Sequence, residues 1–232
     1  MEREGQKDSR SRRLVDLSHA IESGMVTYRG LPGPVISDYL GREQSRTHYA
    51  EGTEFHIGRI DMVANTGTYL DSPFHRYAGG KDLSDLELAW LAGLNGLVVR
   101  VSGRKIGAQH FHGLDMAGKA VLVHTGWDKH WGTEQYFSGH PFLLEETAKF
   151  LRESGVALVG IDSLNIDSTD DGARPVHSIL LGANIPIVEH LCGLAQVPDS
   201  GFTFFAVPPK IRQLGSFPVR AFAMLCGITP VD

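Results

Sequence analysis

Asn65-Thr66-Gly67-Thr68-Tyr69-Leu70-Asp71-Ser72-Pro73-Phe74-His75 is the chemically densest stretch of this 232-residue chain. Gly67 frees the backbone and Pro73 fixes it. Asp71 and His75 stand four residues apart on what reads as an irregular loop. A loop that turns polar side chains inward needs a reason, and a bound metal or a catalytic site is the usual one.

Upstream, the alternation in Leu14-Val15-Asp16-Leu17-Ser18 predicts a short strand, followed by a loop-rich stretch punctuated by Gly24, Gly30, Pro32, Gly33 and Pro34. Residues 54–64 read as a strand running straight into Asn65. Downstream, apolar runs predict strands over 93–101, 120–123, 156–161, 185–188, 202–207 and 219–225. Mixed helical spacing predicts a helix over 142–153 stopped by Gly155, and a second, shorter helix over 175–181. The spacing follows no fixed βαβ period, which disfavours a TIM barrel and a doubly wound sheet. The pattern supports one strand-rich α/β or α+β domain over 14–232, with 1–13 as a disordered leader.

Two further segments carry chemistry. Gly160-Ile161-Asp162-Ser163-Leu164 leads through a polar loop to Pro175-Val176-His177-Ser178, and Glu189 follows an apolar run at Ile187-Val188. A carboxylate among apolar neighbours needs a partner, because burying it alone is costly. Asp71, His177 and Glu189 could together hold a divalent ion. They could equally form an ion-pair network, and spacing alone leaves both open.

Bulk composition excludes several classes. The formal net charge is -5, from 22 basic and 27 acidic side chains, so no basic stripe for nucleic acid is present. No apolar run reaches the ~20 residues that span a bilayer. The polar start does not read as a secretory signal. Cys192 and Cys226 are too few for a disulfide framework and read as buried thiols, which predicts a cytoplasmic protein.

Residues 65–75 resemble the HxGTHxDxPxH signature of the cyclase family of metal-dependent hydrolases, which includes kynurenine formamidase and isatin hydrolase. Gly67, Thr68, Asp71, Pro73 and His75 match it. Asp16-Leu17-Ser18-His19 resembles the family's opening strand, Thr125-Gly126-Trp127 with His130-Trp131-Gly132 its middle, and His177 with Glu189 its later metal-binding stretch. The resemblance runs in order from about Leu14 to Gly227. It implies a swivelling β/β/α fold, a barrel-like sheet flanked by helices, and a homodimer or homotetramer. It also implies hydrolysis of a small amide, lactam or lactone. By the same resemblance Asp71, His177 and Glu189 are metal ligands, and His75 acts beside the catalytic water.

The chain departs from the signature where the family has its first two histidine ligands: Asn65 and Tyr69 stand there. An amide oxygen is a weak ligand, and a phenol stays protonated near neutral pH. The expectation is one divalent metal rather than two, manganese or zinc, with magnesium also suited to the oxygen-rich set, and no organic cofactor. Tyr69 would join His75 in catalysis as a donor to the oxyanion. Asn65 and Trp127 would contact the small-molecule substrate. Alternative readings are a metal-free cyclase or lyase using Tyr69 and His75 as acid and base, or a non-catalytic binder.

Some residues carry a bland reading beside a sharp one. His124, His130 and His140 with Trp127, Trp131, Tyr136 and Phe137 form an aromatic wall or ordinary packing. His110 and His112 share one face of an expected strand, and His56 could point into the site. The loop bearing Asp167, Asp170 and Asp171 could bind a cation but reads first as a solvated turn.

Overall fold

The computed structural model describes residues 13–170 and 172–225. Among them the strands are β1 (Arg13–Asp16), β2 (Val35–Leu40), β3 (Ile57–Asp61), β4 (Tyr69–Asp71), β5 (Ala92–Arg100), β6 (Lys105–Ile106), β7 (Ala120–His124), β8 (Phe142–Leu143), β9 (Leu158–Ile161), β10 (Ile187–Glu189), β11 (Phe202–Phe205), β12 (Ser216–Pro218) and β13 (Phe222–Leu225). The α-helices are α1 (Arg42–Ser45), α2 (Glu145–Glu153) and α3 (Pro175–Gly182).

Nine strands form one curled, half-barrel sheet in the order β1-β13-β11-β5-β7-β9-β10-β4-β12. Its centre, β5-β7-β9-β10, is parallel, and antiparallel strands extend it on both sides. The central strands carry the continuous apolar runs because parallel strands are covered on both faces. On one face Leu70, Leu122, Leu158 and Val188 pack with Val98 and Phe204. On the other, Val121, Val159, Ile161 and Ile187 pack beneath Leu151 of α2 and Val176 and Leu180 of α3. The pleat therefore sends alternate residues into two separate cores.

The α/β, strand-rich barrel-like fold expected above is the one observed. Both helices are present, although α2 starts three residues after Phe142, which pairs in β8 with β6. Three expectations change. The stretch holding Asp71 is not an irregular loop: Tyr69–Asp71 is a buried strand, and only His75 lies beyond it, in a 3-10 turn over Pro73–His75. His110 lies in a 3-10 turn over Ala108–Phe111 rather than in a strand, since Phe111 turns wholly into the core. His56 lies beside the exposed β2–β3 hairpin, bonded to Asp38 at 2.8 Å, and does not enter the site. Arg13 opens β1, Cys192 is half-buried and unbridged, and residues 1–12 with Cys226 lie outside the described residues. No helix among the described residues is long and apolar enough to cross a membrane.

Candidate active site

The site lies on the helix-bearing face of the sheet, where β4, β10 and β12 meet α3. Gly67, at φ +65°, turns the chain into β4 with its N–H on Thr27 Oγ1 at 2.8 Å. In β4, Tyr69 and Asp71 share one face while Leu70 enters the opposite core. Asp71 sits across from Ile187 on one side and Ser216 on the other, and Tyr69 sits across from Glu189. The 3-10 turn with His75 folds back over β12 because Gly215 leaves room: a Cβ there would lie 2.5 Å from the His75 Cα.

Three sequence-predicted residues converge. Asp71, His75 and His177 each bring a ligand atom within 4.8 Å of the others. His177 Nε2 lies 3.6 Å from Asp71 Oδ2 and 3.6 Å from Glu189 Oε1. Glu189 is fully buried and accepts from the Ile166 N–H at 2.7 Å, the Tyr69 hydroxyl at 2.5 Å and Asn165 Nδ2 at 3.4 Å. A carboxylate offers about four lone-pair directions, so Glu189 keeps one free. Asn65 reaches Asp71 Oδ1 at 3.5 Å. Trp127 stands apart, with its indole N–H on the Tyr136 carbonyl at 3.0 Å and its ring edge-on to His130.

Two residues that were not expected at the site complete it. Asp167, read as part of a solvated turn, is buried and accepts His177 Nδ1 at 2.7 Å, together with the N–H groups of Val176 at 2.7 Å and His177 at 2.9 Å. Of its acidic loop, Asp170 pairs with Arg104, and Asp171 lies outside the described residues. Ser216 donates its hydroxyl to Asp71 Oδ1 and lies 2.9 Å from His75 Nδ1. A serine hydroxyl has one proton. With that proton on Asp71, Ser216 Oγ accepts from His75 Nδ1–H, which leaves His75 Nε2 with the lone pair.

The electrostatics are those of a negatively charged pocket around His177. Burial works to lower the His177 pKa, but Glu189, Asp167 and Asp71 outweigh it and raise it to about 10. Burial raises Glu189 to about 7 against the opposing charge of His177. Burial works to raise Asp71 as well, yet the neighbouring His177, its Nε2 3.6 Å from Oδ2, holds it below its usual range. Burial, then Glu189 and Asp71, keep the Tyr69 hydroxyl well above its ordinary pKa, so it stays protonated and donates to Glu189. Asp71 Oδ2 is buried with no hydrogen-bond partner, an arrangement that native interiors seldom leave uncompensated. The donor set fits a divalent metal: carboxylate and imidazole around an orphaned oxygen, with His177 oriented by an outer carboxylate as metal-binding histidines are.

Residues 15–168 match the family described as "Putative cyclase". The chain belongs to this family. Kynurenine formamidase from Bacillus cytotoxicus is 29% identical over 89% of this chain and 95% of its own length, and that of Bacillus cereus is 27% identical over the same shares. Among solved structures, isatin hydrolase A from Labrenzia aggregata superposes with a TM-score of 0.79 at 22% identity, covering 93% of this chain and 94% of its own. A structure described as a "potential metal-dependent hydrolase with cyclase activity" superposes at 0.75 with 25% identity, over 92% and 98%. The formamidases are hydrolytic by name, and cyclase family membership supports a hydrolase here.

Proposed function

We propose that the chain is a metal-dependent hydrolase of a small amide, lactam or lactone, with one divalent cation at Asp71, His177 and Glu189. The observation that carries this reading is the buried Asp71 Oδ2, which has no hydrogen-bond partner and lies 3.6 Å from His177 Nε2. The relatives named formamidase and isatin hydrolase support the amide or lactam bond. When bound, the cation supplies Lewis acidity to the carbonyl and lowers the pKa of water. Manganese or zinc suits the mixed oxygen and nitrogen donors.

The chain's own groups do the rest. His75 is the most open member of the cluster, and its Nε2 holds the free lone pair. It takes the proton of the attacking water and returns it to the leaving nitrogen or oxygen as the C–N or C–O bond breaks. The products are a carboxylate and an amine or alcohol. Tyr69 holds Glu189 through its hydroxyl, and it reaches a developing oxyanion only by releasing that bond. Asn65 stands beside Asp71 as a polar contact for substrate. The exposed apolar residues of the β2–β3 hairpin, Ile36, Tyr39, Ile57 and Ile60, support a homodimer or homotetramer.

Elemental analysis of the purified protein tests the reading, with Asp71→Ala as control. About one equivalent of manganese or zinc, absent from the variant, is the expected result. No metal in either protein, even after divalent ions are added back, removes this mechanism. His75→Ala separates its two roles: turnover lost with metal retained assigns a base, and loss of both assigns a ligand.

A further inference from the structure

The segments that carry His75 and Ser216 are both tied to residues 81–83. The Phe74 N–H, within the 3-10 turn of His75, donates to the Lys81 carbonyl at 2.9 Å. The next residue, Asp82, reaches the other segment, where its Oδ2 accepts the Gln213 N–H at 2.6 Å. The Leu83 N–H donates to the Leu214 carbonyl at 3.1 Å. The two segments also meet directly, through the Ser72 N–H and the Gly215 carbonyl at 2.7 Å. Residues 72–75 and 213–216 are thus laced together, with the Asp82 carboxylate as the one side chain in the lacing.

Asp82 does more than close a local turn. Its Oδ1 accepts the N–H groups of Ser84 at 2.8 Å and Asp85 at 3.2 Å and the Ser84 hydroxyl at 2.7 Å, which is what an aspartate does in an ordinary turn. Its Oδ2 spans 131 positions to Gln213. These donors, the Gln213 N–H first, hold the Asp82 carboxyl below its usual range. Gln213 has φ +59°, a conformation that residues other than glycine seldom adopt. The link matters because β12 is the last strand of the sheet, paired with β4 and, among the described residues, with no other strand. Ser216 opens β12, so its place depends on β4 and on how residues 213–215 arrive. Gly215 lies against His75, and Ser216 Oγ is 2.9 Å from His75 Nδ1. A shift of 213–215 changes that distance.

We propose that Asp82 is a positioning residue for His75: its carboxylate fixes the approach of residues 213–215, and with it the Ser216–His75 hydrogen bond that keeps the His75 proton on Nδ1. Asp82 itself makes no hydrogen bond or ion pair to Asp71, His75, His177 or Glu189, and it acts through Ser216. Its effect on turnover rests on the hydrolase reading. Its effect on the His75 ring does not.

Nitrogen-15 NMR of the histidine rings in the full-length, metal-free protein tests this without a substrate, with His75 assigned by the resonance lost in His75→Ala. At about pH 8.5 an ordinary imidazole is neutral, and the wild-type His75 ring is expected as the Nδ1–H tautomer. Asp82→Ala should move it toward the Nε2–H form, and Ser84→Ala, which leaves the Gln213 link in place, should not. If Asp82→Ala does not fold, Asp82→Asn, which keeps the size and loses the charge, should give the same shift. Hydrolysis of formanilide, a small N-formyl amide, by the metal-loaded protein gives the second readout. Asp82→Ala should lower kcat about tenfold with KM within about twofold, since small misplacements of a catalytic group act on kcat. In a Ser216→Ala background the same substitution should cost less than about twofold, because the contact it sets is already gone. A wild-type Nε2–H tautomer, a tautomer indifferent to both Asp82 substitutions, or equal losses of kcat in the two backgrounds overturns the proposal. The tautomer shift without turnover of any amide or ester would overturn the hydrolase reading and support the role of Asp82. Turnover with no tautomer shift would overturn that role and spare the hydrolase.

Discussion

Asp167 holds His177 three times over, through the imidazole Nδ1 at 2.7 Å, the His177 N–H at 2.9 Å and the Val176 N–H at 2.7 Å. One carboxylate thereby caps the start of α3 and aims the Nε2 of its histidine at Asp71 and Glu189. Outer carboxylates of this kind are worth about 10- to 100-fold in metal affinity. Asp167→Asn should keep the fold and lower metal affinity by that factor. Asp167→Ala should also destabilise the metal-free protein, by about 1–3 kcal/mol for each buried N–H left unpaired. Metal titration and urea unfolding of both variants check this. Equal metal affinity in Asp167→Asn and wild type would remove the orienting role.

Metal uptake should release a proton. Without a cation His177 is protonated up to about pH 10, and a ligand imidazole must be neutral. Affinity should therefore rise about tenfold per pH unit between pH 7 and 9, with about one proton released per cation. Titration calorimetry in buffers of different ionisation enthalpy measures that proton directly. Affinity independent of pH over this window would place the metal away from His177.

Acid should destabilise the metal-free fold before its carboxylates are protonated in bulk. His190 is fully buried and burial lowers its pKa to about 3, and His19 follows at about 4. Their folded values lie below the ordinary 6.5, so the stability they contribute is full above pH 6.5 and is lost as pH falls toward 4 and 3. For His190 the loss between pH 6.5 and 5 is on the order of 2 kcal/mol. His190 has φ +56°, which asparagine tolerates. His190→Asn should flatten the urea midpoint against pH across this window, and a profile parallel to wild type would argue that His190 is not the cause.

Restoring the signature should restore a second ion. Asn65→His with Tyr69→His puts two imidazoles beside Asp71 and is expected to raise bound zinc from about one equivalent to about two. Each single substitution should fall short of that. Unchanged stoichiometry in the double variant would mean that other parts of the site set the metal count.

The parts of the molecule legible in the sequence are those whose physics is local. Leu97-Val98-Val99, Ala120 to Val123 and Leu158 to Ile161 read as strands because burial on both faces leaves an uninterrupted apolar run. Asp71, His75, His177 and Glu189 stood out by residue type and resemblance. What escaped depends on distant pairing. β4 has three residues and exists because β10 and β12 flank it. Among the described residues β2 pairs only with β3, and it is largely exposed, so burial left little mark on it. Asp167 looked like one more acid in a polar turn, and a carboxylate six residues after a strand, eight before the proline that opens a helix, was the available signal. Ser216 lies 145 positions from Asp71 and left no trace at all.

The pleat of β4 has a consequence for how this site changes over time. Positions 69 and 71 look into the same space while position 70 belongs to a different core. A replacement at 69 therefore edits the neighbour of Asp71 without disturbing the packing that holds the strand in place. Position 69 works like a socket in a fixed panel, able to accept an imidazole or a phenol while the wiring behind it stays as it was. Divergence in metal use within one unchanged architecture needs no more than that.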